Sequence, residues 1–206
     1  MNRKNGSVPP RVALVCGAGR DPGRAIALRL AAAGWQIAAH DLQPLHLEEL
    51  KQKIEQIGSV CRTYVGDTGK GLAARALIDD VLHDWERLDV LMYCLQAAPS
   101  ADLLMLDEWD WQRALEINLS APFLLAQAAV AVMREQKGGG GVFFVTQPQL
   151  ARSSLPLAAA QAGISGLVEA IASGLLAYNI HSAVFAAAQD NLETIVQQVL
   201  RRVATD

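Results

Sequence analysis

The chain has 206 residues, a net charge of −3 at pH 7 and 51% hydrophobic residues. This length fits one α/β domain with a sizeable core, and the slightly acidic charge excludes the basic footprint of a nucleic-acid-binding protein. Cys16, Cys61 and Cys94 occur singly, which predicts buried thiols in a reducing compartment rather than a disulfide framework or a metal cluster. Residues 1–10 are polar and lack the apolar core of a signal peptide, so we expect a flexible leader on a single cytoplasmic domain of residues 1–206.

The start of the chain reads as a strand, a glycine-rich turn, a helix and a second strand. Residues 12–15 form an apolar run typical of a buried strand, and residues 24–33 have the pattern of an amphipathic helix closed by Gly34. The second strand, over 35–39, leads to Asp41. A βαβ unit that ends in an acid is typical of dinucleotide binding, because glycines let the backbone approach a pyrophosphate and the acid can hold a ribose.

Two residues of the glycine-rich turn are unusual for a nucleotide site. Asp21 at the N-cap and Pro22 at the first helical position form a self-contained cap, and the carboxylate lies where a phosphate would sit. A simple capped turn and a real nucleotide site therefore both stay open, and NAD is a possible but doubtful cofactor. We expect Arg20 on the surface rather than on a cofactor. The candidate cofactor-binding residues of this region are Gly17, Gly19, Arg20, Gly23 and Asp41.

Helices and strands alternate through the rest of the chain, with no repeat and no linker. This alternation implies a Rossmann-like, doubly wound parallel sheet of about six strands, with helices on both faces. Pro122 is the only predicted interruption of the longest helix. The pattern predicts further strands over 60–65, 88–94, 142–145 and 180–188, and helices over 45–57, 70–87, 107–136, 155–178 and 192–203.

The helix over 155–178 is unusually smooth and apolar. Glu169 is its only charged residue. A membrane span is one interpretation, but Gln161, Ser165 and Ser173 argue against it. We expect the sheet to bury one face of this helix and a partner subunit to bury the other.

These motifs, in this order, resemble the short-chain dehydrogenase/reductase family over almost the whole chain. Gly17 and Gly23 match the first and last glycines of the family's glycine-rich turn, whereas Asp21 replaces the middle glycine. The resemblance implies that Asp41 is the acid that favours NAD over NADP. It also implies that Asp67, after the third strand, is the acid near the adenine.

The match continues into the catalytic region but becomes incomplete. Residues 88–91 match the strand that leads to the family's Asn-Asn-Ala-Gly motif, whereas residues 93–96 read Tyr-Cys-Leu-Gln and do not match that motif. Asn118 matches the asparagine of the family's catalytic helix. By resemblance, Asn118 is therefore a candidate catalytic residue.

The family's proton-transfer residues have no counterpart here. Family members transfer hydride while a tyrosine acts as general acid or base, a lysine four residues later lowers its pKa, and a serine orients the carbonyl. Leu157 and Gln161 occupy the tyrosine and lysine positions, and the serine position falls on Thr146 or Gln147. None of the three tyrosines has a lysine four residues later. Asn118 and Thr146 are therefore expected to be vestigial.

The C-terminal part also departs from the family pattern. In the family, a substrate-covering segment follows the sixth strand and a seventh strand closes the domain. Here residues 188–191 pass directly into the last helix. We therefore expect the lid and the seventh strand to be missing, which would leave the site open to water and the sixth strand without a neighbour.

The resemblance implies a catalytically silent member that works as a homo- or hetero-oligomer, in the second case beside an active NAD-dependent dehydrogenase. Helices 107–136 and 155–178 are the expected interface, because family members usually dimerise through them. Some dehydrogenases of this family, including one in anaerobic toluene breakdown, look like such assemblies. Two alternatives stay open: an active NAD(H)-dependent alcohol or ketone oxidoreductase that uses Tyr93 or His181, and a nucleotide-binding sensor. We expect no metal, nucleic acid or membrane partner.

Overall fold

A computed structural model describes residues 10–136, 138–188 and 190–204, so residues 1–9 of the predicted leader lie outside the described chain. The strands are β1 Val12–Cys16, β2 Gln36–Asp41, β3 Cys61–Val65, β4 Val90–Tyr93, β5 Gly140–Thr146 and β6 Ile180–Ala186. The helices are α1 Gly23–Ala32, α2 Leu47–Gln56, α3 Gly71–Trp85, α4 Glu108–Leu115, α5 Ala121–Gln136, α6 Pro148–Ala151, α7 Leu155–Leu176 and α8 Leu192–Val203.

The strands form one sheet in the order β3-β2-β1-β4-β5-β6, and every neighbouring pair is parallel. The predicted doubly wound parallel sheet of six strands is thereby confirmed. Because β1 lies in the middle, all five of its residues are buried. A strand that is covered on both faces reads as a continuous apolar run, which is why the sequence identified β1 clearly.

The core consists of two layers, one on each face of the sheet. Along β1, Ala13 and Val15 point into the layer built with α1, α2 and α8, whereas Val12 and Leu14 point into the layer built with α3, α5 and α7. Successive side chains of a strand alternate between faces, so one strand contributes to both layers. The cysteines are free and buried, as the sequence predicted: Cys16, Cys61 and Cys94.

The turn between β1 and α1 follows the sequence prediction closely. The Asp21 carboxylate accepts a hydrogen bond from the Ala25 N–H at 3.2 Å, but the N-cap is Pro22 and the helix begins at Gly23, so Asp21 lies one residue before the predicted N-cap position. Gly34, at φ +88°, ends the helix as predicted. A Cβ atom at Gly23 would lie 2.2 Å from the Gly17 carbonyl oxygen, so only glycine fits where α1 crosses the turn.

The long helix predicted over 107–136 is interrupted, but not only by Pro122. A π-helical turn, Glu116–Ser120, separates α4 from α5, and the Ala121 N–H donates to the Glu116 carbonyl across it. The prediction of proline as the only interruption was therefore wrong. Proline has no N–H to donate to the carbonyl four residues earlier, and the wider turn immediately before it buries Ile117 and Asn118 against the sheet.

Two helical stretches of the described chain, Glu108–Gln136 and Leu155–Leu176, are long and apolar enough to cross a membrane. Their mean hydropathies are 1.5 and 1.4. The core helices of soluble proteins pass the same test, and both stretches pack on the sheet, for example through Leu125 and Ile164. Length and composition are therefore only weak evidence for a membrane.

His40 on β2 is a titratable group inside the core, with 1% of its surface exposed. Its Nε2 lies 2.9 Å from the Gly66 carbonyl, which can only accept a hydrogen bond, so Nε2 carries the proton. Nδ1 has no partner among the described residues. Burial lowers the pKa of His40, although the Gly66 carbonyl and the carboxylates of Asp41 and Asp67 oppose this effect.

We expect the protein to lose stability as the pH falls below about 6.5, the ordinary pKa of histidine. The pKa of His40 is lower in the folded than in the unfolded state, so acid adds a proton to the unfolded chain first. Stability is therefore full above the unfolded pKa and declines below it, by up to about 1.4 kcal/mol per pH unit for one proton. Urea unfolding between pH 5 and 8 measures this slope.

His40→Gln keeps a side-chain donor for the Gly66 carbonyl but cannot titrate, so it should reduce the slope. Gln127→Ala, at an exposed position of α5 and without a titratable group, is the control and should leave the slope unchanged. The same slope in wild type and His40→Gln would contradict the assignment.

Candidate nucleotide and active site

The carboxyl ends of β1, β2, β4 and β5 meet at one edge of the sheet. Between β1 and β4 the strand order reverses, and crevices at such a point are where parallel α/β sheets bind ligands. A cavity of about 270 Å³ opens there. It is lined by four predicted site residues, Gly17, Gly19, Arg20 and Asp41, and also by His46 and Gln96, which were not predicted. The structure thus brings the glycine-rich turn and the acid after β2 together.

Three backbone donors of the glycine-rich turn are bonded within the chain. The N–H groups of Gly17 and Ala18 donate to the His40 carbonyl at 2.8 and 3.0 Å. The Gly19 N–H donates to Oδ2 of Asp41 at 3.0 Å. Asp41, the predicted ribose-binding acid, therefore also accepts a hydrogen bond from the backbone of the turn.

The N-terminus of α1 presents an acid where a pyrophosphate would need donors. The Ala25 N–H is taken by the Asp21 carboxylate at 3.2 Å. Pro22 has no N–H to offer. Arg20, the cation of the turn, is exposed and lies on the rim of the cavity.

Asp67, the predicted adenine-side acid, is held by α4. One carboxylate oxygen lies 2.7 Å from a guanidinium nitrogen of Arg113, and the other accepts from the Gly69 N–H at 3.0 Å. Arg113 also pairs with Glu116 at 3.1 Å. Burial alone would raise the pKa of Asp67, but the Gly69 N–H and Arg113 outweigh it and lower that pKa. Asp67 is thus an ionised carboxylate whose negative charge is already paired with Arg113.

The positions predicted to match the family's tyrosine and lysine, Leu157 and Gln161, hold packed or neutral side chains. Leu157 is 1% exposed. Gln161 donates from its amide to the Gln96 side-chain oxygen at 3.3 Å, and Gln96 donates to the Val145 carbonyl at 3.0 Å. The remaining cavity among these residues and Tyr93 has a volume of about 20 Å³. This is room for about one water molecule.

The other polar groups near this point connect the loop after β4 to the long helix. The Asn118 side chain accepts from the Ala97 N–H at 2.9 Å and donates to the Ala97 carbonyl at 2.7 Å. Tyr93 donates its hydroxyl to the Ile117 carbonyl at 2.6 Å, and burial raises the pKa of this phenol well above its ordinary value. Thr146 donates to the Phe185 carbonyl at 3.3 Å. Each of these groups has a structural partner.

His181, the second candidate acid, lies far from the others. It is paired with Gly141 in the sheet, whereas Thr146 at the site is paired with Ala186. Five residues of strand separate the two positions, roughly 16 Å at 3.3 Å per residue. Burial and the neighbouring Arg202 lower the pKa of His181. The structure therefore does not bring His181 to the site.

Sequence reasoning missed Gln96, which lines the site, and Arg113, which pairs with the predicted site residue Asp67. The pairing of Arg113 with Glu116, three residues later on a helix, could have been read from the spacing. The contacts of Gln96 with Gln161 and of Arg113 with Asp67 join distant parts of the chain, so no local pattern signals them. Residues 10–136, 138–188 and 190–204 contain no group of three or more His, Cys, Asp or Glu side chains that could hold a metal ion.

Comparison with known proteins identifies relatives along most of the chain. The sequence profile of the family described as short chain dehydrogenase matches residues 11–188. The (3R)-3-hydroxyacyl-CoA dehydrogenase of Mus musculus is 32% identical over 143 residues, which cover 66% of this chain and 55% of that protein. The (2S)-[(R)-hydroxy(phenyl)methyl]succinyl-CoA dehydrogenase subunit BbsD of Thauera aromatica is 27% identical over 163 residues, 79% of this chain and 66% of that one. The chain thus spans little more than half of the first relative's length.

Solved structures share the fold. A metagenomic short-chain oxidoreductase in complex with NADP superimposes with a TM-score of 0.86 at 23% identity, over 97% of this chain and 94% of that one. The carveol dehydrogenase of Mycobacterium avium in complex with NAD gives a TM-score of 0.81 at 23% identity, over 96% and 77%. At this identity the likeness supports the fold alone.

We expect Asn118→Ala to destabilise the protein by about 1–3 kcal/mol, because two hydrogen bonds to the Ala97 backbone are lost inside the structure. Gln127→Ala, at an exposed position of α5, is the matched control and should change stability by less than about 0.5 kcal/mol. Urea unfolding at pH 7 measures both. Equal stability of the two variants would show that the Asn118 bonds contribute nothing.

Proposed function

We propose that this chain, which belongs to the short-chain dehydrogenase family, is a catalytically silent member of that family and acts as a subunit of an oligomer. In that assembly it accompanies an active NAD-dependent dehydrogenase or a second copy of itself. One observation carries the proposal: Leu157 and Gln161 stand where the family places its tyrosine and lysine, and the space around them is nearly filled.

The side chains at these positions support the proposal that the chain does not catalyse hydride transfer. Leu157 cannot carry a proton, and the neutral Gln161 cannot lower the pKa of a neighbour by charge. The nearest phenol, Tyr93, is bonded to a carbonyl and has a raised pKa, so it is poorly suited to proton transfer near pH 7. Loss of a general acid typically lowers a rate about 10²–10⁴-fold.

The residues of the glycine-rich turn do not fit a pyrophosphate as they are arranged. To bind one, the chain would have to release the Gly19 N–H from Asp41 and the Ala25 N–H from Asp21. The Asp21 carboxylate would also repel the phosphates at the helix end that normally attracts them. We therefore propose that this chain binds NAD weakly, although the fold is one that holds nucleotides in other proteins.

A role as a subunit is supported by the surface of the chain and by a relative. Only five of the 22 residues of α7 are buried, although this helix has no charged residue except Glu169. A smooth, apolar, uncovered helix face is typical of an interface. The Thauera aromatica relative is itself named as a subunit of a dehydrogenase. We propose the predicted helices, now α4 to α5 and α7, as the interface of a cytoplasmic oligomer.

One observation favours a second function, a nucleotide-binding sensor without chemistry. The cavity of about 270 Å³ beside Asp41 remains open although the catalytic end is filled. A small nucleotide fragment could occupy such a volume without reaching Leu157.

We expect no turnover by the purified chain on its own. Oxidation of NADH is followed with a panel of ketones and 3-ketoacyl-CoA thioesters, and an active family member serves as the positive control. The rate should stay at the background level because no group can donate the proton. Turnover that disappears on Tyr93→Phe would contradict silence and would identify the acid.

Native mass spectrometry of the chain purified from its source cells measures the second half of the proposal. A mass equal to two or more chains supports a subunit role, whereas a lone monomer contradicts it.

We expect NAD to give no measurable heat in isothermal titration at millimolar concentration. The double variant Asp21→Gly, Pro22→Ile removes the carboxylate and supplies an N–H, so it should give a measurable heat with NAD. Each single variant should give part of this gain. Tight binding by the wild-type chain would instead support the sensor.

A further inference from the structure

The connection between β4 and α4 exposes an unusual group of large apolar side chains. Leu103, Leu104 and Met105 are 79%, 92% and 74% exposed, and Trp109, in the first turn of α4, is 71% exposed. We call residues 103–105 and Trp109 the apolar tip. Single exposed apolar residues are ordinary, but four within seven positions form a patch of the kind that marks an interaction site.

The apolar tip is held in place by hydrogen bonds. Asp102 accepts from the N–H groups of Leu104 and Met105 at 2.9 and 3.2 Å. Asp107 caps α4 by accepting from the Asp110 N–H at 2.7 Å. The chain therefore presents these side chains in a fixed turn, so docking them costs little ordering of the backbone.

The surroundings of the apolar tip are acidic. Residues 97–112 contain four carboxylates and no Lys, Arg or His: Asp102, Asp107, Glu108 and Asp110. The next cation along the helix, Arg113, is already engaged with Asp67 and Glu116. The patch thus has an apolar centre and a negative rim.

We propose that the apolar tip docks into an apolar pocket rimmed by Lys or Arg on a different protein chain. This inference rests on the proposed subunit role and selects the hetero-oligomer. A two-fold pair of identical chains with this patch on its axis would oppose carboxylates to carboxylates. The same rim repels an anionic lipid surface. A partner with an apolar pocket and a basic rim would bury the apolar centre and pair with the carboxylates.

The test uses the full chain, tagged and purified from its source cells together with what it binds there. A carbodiimide joins a carboxylate to a lysine in contact, so we expect cross-links from Asp107 or Glu108 to lysines of another chain. Leu104→Asp with Met105→Asp should lower the recovered partner at least ten-fold, and Glu108→Lys should lower it several-fold. These positions are exposed and cap nothing, so the fold should survive, as circular dichroism will check. Leu72→Asp, at an 85% exposed position of α3, is the matched control and should retain the partner.

Three results would overturn the docking proposal: cross-links that join two copies of this chain through residues 102–110, full recovery of the partner by the tip variants, or no partner at all. Its failure is separable from failure of the proposed function. Turnover by the chain alone would refute catalytic inactivity without changing which residues are cross-linked. A stable oligomer that ignores the tip variants would refute the docking site and leave the subunit role intact.

Discussion

The paired hydrogen bonds between the Asn118 side chain and the Ala97 backbone are the constraint on which the site depends. They join the loop after β4 to the helix that runs from α4 to α5, at 2.9 and 2.7 Å. The neighbouring Gln96 then reaches both the Val145 carbonyl of β5 and Gln161 of α7. One short loop therefore connects two strands and two helices. In our proposal, residues at positions that serve chemistry elsewhere in the family here serve packing.

At the nucleotide end of the site, charged side chains also bond to other groups of the chain. Asp41 and Asp21 accept from backbone N–H groups, and Asp67 is neutralised by Arg113. A helix N-terminus and a glycine-rich turn attract anions only while their donors are available. Where carboxylates of the chain occupy those donors, a pyrophosphate must displace them. In our proposal, the scaffold of a nucleotide-binding fold is retained and a few side chains lower its affinity for NAD.

The anchoring of the same loop also shapes the surface. Because Ala97 is fixed by Asn118 and the next turn is fixed by Asp102, the residues between β4 and α4 are ordered up to the exposed Leu104. In our proposal, catalytic inactivity and recognition by a partner are therefore compatible in one chain. The buried side of the loop would fill the site, and its outer side would contact another protein.

The sequence by itself determined the fold, because each element carries a local signal. The buried run of β1, the left-handed Gly34 and the Asp21 carboxylate act within a few residues. The tertiary structure alone decided that Gln96 bonds to Gln161, that Arg113 neutralises Asp67 and that the long helix contains a π-helical turn. These features depend on which distant residues meet when the sheet assembles. Periodicity reports how one segment meets the core, whereas a hydrogen bond between residues 65 positions apart exists only after the strands have been placed in order.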